Sequence, residues 1–315
     1  MEAMRRRNAQ LKLTLSAARA HLHAFETTME THHAIIGTYC ILLTFLFTPV
    51  QLALLAVFCG EKRLVYHLMF HSGLMEFVVL LTTLMAGIMS ICQSPINVEF
   101  SNTAESLLVA GKVGMVVGYF IVALNRLTVV FNVGGSKEKT VFKYIIVFLW
   151  VIAIAWFVII RCFQPRSPVF NLESGLFSYA VYGNPVVNVT LYWIQFGLSL
   201  CTCFCYALIC FSFMITRLHY TSRFSVNTVE VKILFQAVFT AVIFFVIDHF
   251  GCHLTSCRAS LNTMYVLGSR SLPIMNTVFY LSIQKAHRRK VLEHLRLAKK
   301  VNVIYVVPKQ TVTGK

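Results

Sequence analysis

Ala123-Leu124-Asn125-Arg126-Leu127 lies near the end of a long apolar run, Ala104 to Phe131. As a helix, those twenty-eight residues would span roughly 42 Å at about 1.5 Å each. That exceeds a hydrocarbon core of about 30 Å, so the helix should tilt and protrude. A bare arginine deep in lipid is costly, and such residues face the bundle interior or an interface. Arg126 stands about one and a half turns from the end of the run. It can therefore point into a bundle mouth that opens to water.

The rest of the chain supplies the bundle. Of 315 residues, 57% are hydrophobic and 13% charged, and the mean hydropathy is +0.70. A soluble domain carries about 25% charged residues. Seven apolar segments are expected, at about Ala34–Phe58, Val65–Ile91, Ala104–Phe131, Val141–Ile160, Thr190–Ile215, Val231–Phe250 and Leu261–Ile283. Each is long enough to read as a membrane helix. The sequence shows no internal repeat and no separate soluble domain. It divides into an N-terminal segment, 1–33, a seven-helix bundle, 34–283, and a tail, 284–315. The net charge of +16 sits in loops and termini, so it points to an anionic membrane surface and not to nucleic acid.

Orientation follows from the loops. With the N-terminus outside, the inner loops hold eight basic residues: Lys62, Arg63, Lys137, Lys139, Lys143, Arg217, Arg223 and Lys232. The outer loops hold three: Arg161, Arg166 and Arg258. The tail after Ile283 adds nine more to the inner side. This asymmetry favours an external N-terminus. Arg5, Arg6, Arg7, Lys12 and Arg19 point the other way. Asn188-Val189-Thr190 is the chain's one N-x-Ser/Thr sequon, and this orientation puts Asn188 outside as a glycosylation candidate. Gln284–Lys300 reads as an amphipathic eighth helix on the cytoplasmic leaflet. Val291, Leu292 and Leu295 form its apolar stripe among basic residues.

Two motifs give this plan a family likeness. Asn125-Arg126-Leu127 looks like the Asp-Arg-Tyr motif of rhodopsin-like receptors. Asn276-Thr277-Val278-Phe279-Tyr280 resembles their Asn-Pro-x-x-Tyr, with Thr277 in place of the proline and Pro273 one turn earlier. Glu76 lies midway along the second segment, where that superfamily carries a buried aspartate and sodium site. The sixth segment has no Cys-Trp-x-Pro, the fifth lacks its proline, and the third has no cysteine at its outer end. Leu124-Asn125-Arg126-Leu127-Thr128-Val129-Val130-Phe131 is similar to the core of nematode serpentine chemoreceptors, of the gamma superfamily (classes gamma, v, x and t). The resemblance implies an all-α, rhodopsin-like seven-transmembrane bundle in the plasma membrane. Its partners would be a small external molecule and a heterotrimeric G protein. Asn125, Arg126, Asn276, Tyr280 and Glu76 would inherit the switch and coupling roles.

Other residues carry secondary expectations. Cys92, Cys162, Cys252 and Cys257 fall on the outer side. A Cys92–Cys162 bridge would replace the usual third-helix link, and Cys252–Cys257 would close a small loop. Free thiols are the alternative. Cys201, Cys203, Cys205 and Cys210 on the fifth segment read as small apolar residues and not as a metal site. Glu105, Lys112, Asp248, His249 and Arg270 lie at outer depths. They either line a pocket for an acidic ligand or pair internally, Lys112 with Glu105 and Arg270 with Asp248. His67 and His71 read as packing residues. No HExxH or clustered Asp/His set suggests an enzyme, and no cofactor is expected. The competing functions are an inverted seven-helix ligand-gated cation channel, which needs an internal N-terminus, and a transporter, which tends to show repeats.

Overall fold

The computed structural model describes residues 31, 33–131, 133, 138–163, 170–171, 176–177, 185–219, 228–247 and 259–295. These form helices α1 (His33–Cys59), α2 (Leu64–Ile91), α3 (Val98–Val130), α4 (Glu138–Phe163), α5 (Pro185–His219), α6 (Thr228–Phe245), α7 (Ala259–Ile283) and α8 (Lys285–His294). A two-residue hairpin, β1 (Phe170–Asn171) with β2 (Leu176–Phe177), joins them antiparallel between α4 and α5. Five helices, α1 to α5, are long and apolar enough among the described residues to cross a membrane. Asp248, His249, Cys252 and Cys257 lie outside the described residues, as do 1–30 and 296–315.

The third helix is the axis. It packs along α2, α4 and α5, and more of it is buried than of any other candidate span. Small residues permit the closest of these approaches. Gly111, Gly114 and Gly118 share one face of α3 and meet Val79, Met75 and Ser72 of α2 in turn. A Cβ on Gly118 would stand 2.7 Å from Ser72 Oγ. Helices in lipid pack through such stripes because apolar burial gives them no advantage over lipid tails.

Helix ends follow polar signals that an apolar window does not weigh. The third helix starts at Val98, six residues before the apolar run, because Asn97 caps it: its Oδ1 accepts from the Glu99 N–H at 3.0 Å. Glu99 also favours the first turn electrostatically. It pairs with Arg161 at 2.7 Å, tying the end of α4 to the start of α3. Cys92 and Cys162, expected as a candidate bridge, stand as free, exposed thiols in this structure. The sequon residue Asn188 falls inside α5 and not before it.

Among the described residues the eighth helix spans Lys285–His294, and part of its apolar stripe faces the bundle. Gln284 breaks the chain direction between α7 and α8 (φ −97°, ψ 84°). Val291 is buried against Phe58, Tyr66 and Tyr280, and Leu295 packs partly beside it. Of the expected leaflet stripe only Leu292 stays exposed. Lys290 Nζ reaches Glu61 Oε1 at 2.5 Å, so α8 is clasped to the α1–α2 turn.

Candidate functional site

At the α8 end of the bundle the helices enclose a cavity of about 60 Å³. A single water needs about 10–15 Å³, so several fit. Glu76, Arg126, Asn276 and Tyr280 all line it, with Gln51, Tyr119, Tyr206 and Thr240. Four of the five switch residues named from sequence thus converge on one space. The fifth, Asn125, is buried on another side of α3, and its carbonyl accepts from Thr128 Oγ1 at 2.8 Å.

Glu76 is the hub. Its Oε1 accepts from Tyr119 Oη at 2.8 Å and from Asn276 Nδ2 at 2.8 Å. Its Oε2 accepts from Gln51 Nε2 at 3.2 Å. Gln51 also donates to the Gly73 carbonyl at 3.2 Å and accepts from Thr277 Oγ1. Carboxylate and amide together join α1, α2, α3 and α7. Thr277, standing where the resembled motif has proline, supplies a hydroxyl to this network, while Pro273 breaks the α7 hydrogen-bond ladder one turn earlier.

Arg126 lies half-buried at the α8 end of α3, and Tyr206 of α5 and Tyr280 of α7 line the same cavity beside it. The Tyr280 ring meets Phe58 edge-on at 5.0 Å and His287 of α8 at 5.3 Å. A cation therefore sits where α3, α5 and α7 border the cavity that also holds the Glu76 carboxyl group. Motion of these helices would redistribute its contacts.

The expected ligand residues do not join this site. Glu105 and Arg270 are buried, Lys112 is half-buried, and none lines the cavity. None of the three is without a partner. Lys112 shares a face with Arg126, but fourteen residues place it roughly 21 Å along the axis. Sequence reasoning missed Gln51, Tyr119, Tyr206 and Thr240. Tyr119 had a signal: Glu105, Lys112, Tyr119 and Arg126 recur every seven residues, close to two helical turns. His71 behaves as a packing residue, accepting from Trp150 Nε1 at 3.2 Å.

No family model matches the chain, and no curated protein matches it. Among solved structures it is similar to squid rhodopsin, with a TM-score of 0.68 over 85% of this chain and 86% of that one, at 12% identity. At that identity the likeness carries the fold: a rhodopsin-like seven-helix membrane bundle with an additional helix after the seventh.

Proposed function

We propose that this chain is a G-protein-coupled chemosensory receptor of the nematode serpentine kind, seated in the plasma membrane. The observation that carries the proposal is the meeting of Arg126 with Glu76, Asn276 and Tyr280 around one cavity at the α8 end. That end is cytoplasmic in this reading. Residues 1–33 are extracellular, 34–283 form the bundle and 284–315 are cytoplasmic. Asn188 is then available to glycosylation, and Cys252 with Cys257 to pairing, on the outer side. A small external ligand binds the open arrangement better than the closed one and shifts the population toward it. The helices part around Arg126, and a heterotrimeric G protein engages the opened mouth. An acidic ligand suits Lys112 and Arg270 at the outer depth, with Glu105, Asp248 and His249 as neighbours.

One experiment tests orientation and coupling together. Epitope tags at residues 1 and 315 are read in intact and permeabilised cells, and G-protein nucleotide exchange is measured in their membranes with and without Arg126→Ala. The receptor reading requires an external N-terminus, an internal C-terminus and exchange above background that Arg126→Ala abolishes. An internal N-terminus with an external C-terminus would overturn it in favour of the inverted ligand-gated channel.

A further inference from the structure

Tyr119 belongs to two neighbourhoods. Its hydroxyl donates to Glu76 Oε1 at 2.8 Å. Its ring meets Phe244 of α6 edge-on, with centroids 5.8 Å apart and planes at 84°. Tyr119 and Ala241 also line both the cavity at Arg126 and a second one of about 10 Å³. Val116, Ser199, Thr202 and Phe244 complete the second. The two side chains are therefore the partition between these spaces.

The α6 helix packs chiefly on α5 and α7. The hydrogen bonds around Glu76 join α1, α2, α3 and α7. Thr240 is the polar side chain that α6 brings to the same cavity, and its buried hydroxyl has no partner among the described residues. A ring contact thus links the polar cluster to α6. The hydroxyl lies on the long axis of the tyrosine ring, so anchoring it fixes the direction of that axis and keeps the ring beside Phe244. We propose that Tyr119 is the positioning residue through which the Glu76 cluster holds α6 against α3. Breaking the hydroxyl bond releases the ring's aim, and with it the restraint on α6. The absence of a proline from Thr228–Phe245 makes this side contact the more natural place for control.

This inference deepens the receptor reading, but its test needs neither ligand nor G protein. Full-length protein in lipid nanodiscs is compared by hydrogen–deuterium exchange with Tyr119→Phe, Phe244→Leu and the double variant. Tyr119→Phe keeps the ring and removes only the hydroxyl. Amides of 228–245 should exchange about threefold faster, the scale of one lost hydrogen bond between membrane helices, while those of 138–163 stay unchanged. The double variant should exceed the faster single variant by less than twofold, because both changes cut the same link. Unchanged α6 exchange in Tyr119→Phe, equal acceleration of α4, or additive effects in the double variant would each overturn the inference. Lost signalling with unchanged exchange would count against this inference alone. Altered exchange in a protein that never couples would count against the receptor reading alone.

Discussion

Glu76 takes three hydrogen bonds from three helices other than its own: from Gln51 on α1, Tyr119 on α3 and Asn276 on α7. A carboxyl group in a bundle core is tolerated because such donors replace the water it lost. Removing it takes the shared acceptor from three donors at once. Interhelical hydrogen bonds in membranes average about 0.6 kcal/mol each, so Glu76→Leu should destabilise by about 2 kcal/mol. A drop of several degrees in the thermal midpoint of purified protein would register this. Glu76→Gln retains an acceptor for Tyr119 and should lose about half as much. A midpoint indifferent to Glu76→Leu would mean that the cluster orients the helices without stabilising them. Glu76 and Asn276 were legible in sequence, because a lone carboxylate at mid-depth demands partners and the Asn-to-Tyr spacing fixes a face. Gln51 was not. One amide in an apolar segment does not say which neighbouring helix it will meet, and its bridge to Thr277 spans 226 residues.

At the scale of elements, α8 shows that an amphipathic pattern announces a helix without naming what its apolar stripe will meet. Val291, Leu292 and Leu295 do form a stripe, but periodicity alone does not distinguish a leaflet from a protein wall. The wall wins because Phe58, Tyr66 and Tyr280 present an aromatic surface that Val291 fills. His287 lies in the same surface, its ring 5.0 Å from that of Tyr66 and 3.9 Å from Glu61 Oε1. Burial lowers the His287 pKa, outweighing the Glu61 carboxylate that raises it, and Lys290 lowers it further. The hydrogen bond from Lys290 lowers the Glu61 pKa, against its own burial, and the charges of Lys290, His287 and Arg63 add to the lowering. Both docked values are depressed, so both groups stabilise docking above their free values and lose that contribution as pH falls. For His287 the loss begins below about pH 6.5, and for Glu61 below about pH 4.3. Exchange protection of amides 285–294, corrected for the intrinsic rate, should be flat above pH 7 and fall in two steps below it. His287→Phe should erase the upper step and keep the lower. A single step unaffected by His287→Phe would assign the whole dependence to Glu61.

For the whole molecule, the seven-helix plan was legible because lipid demands long apolar segments, and the loops between them carry the charge. The facing of each helix was not legible, because a helix that is apolar all round gives hydropathy nothing to alternate. The fourth helix is the clearest case. Phe142, Leu149, Ala153, Trp156 and Ile160 are buried, while Tyr144, Phe148, Val151, Ile154 and Val158 are exposed, and both stripes are apolar. Exposed Leu42, Phe45, Phe204, Phe211 and Phe235 continue the outer belt on α1, α5 and α6. Such a surface is stable only in hydrocarbon, where an exposed ring exchanges protein contacts for lipid contacts of similar strength. Two adjacent residues make the arrangement testable. Leu149→Ala opens a cavity against α3 and should cost about 2–3 kcal/mol, since surrounding side chains relax only partly. Phe148→Ala removes more atoms from the opposite face, yet lipid fills the space, and the change should stay within about 0.5 kcal/mol. Reversible unfolding in lipid nanodiscs would measure both. A Phe148→Ala loss as large as that of Leu149→Ala would mean that α4 is covered by protein on both faces, and that the belt is an interface with a second subunit instead of the boundary with lipid.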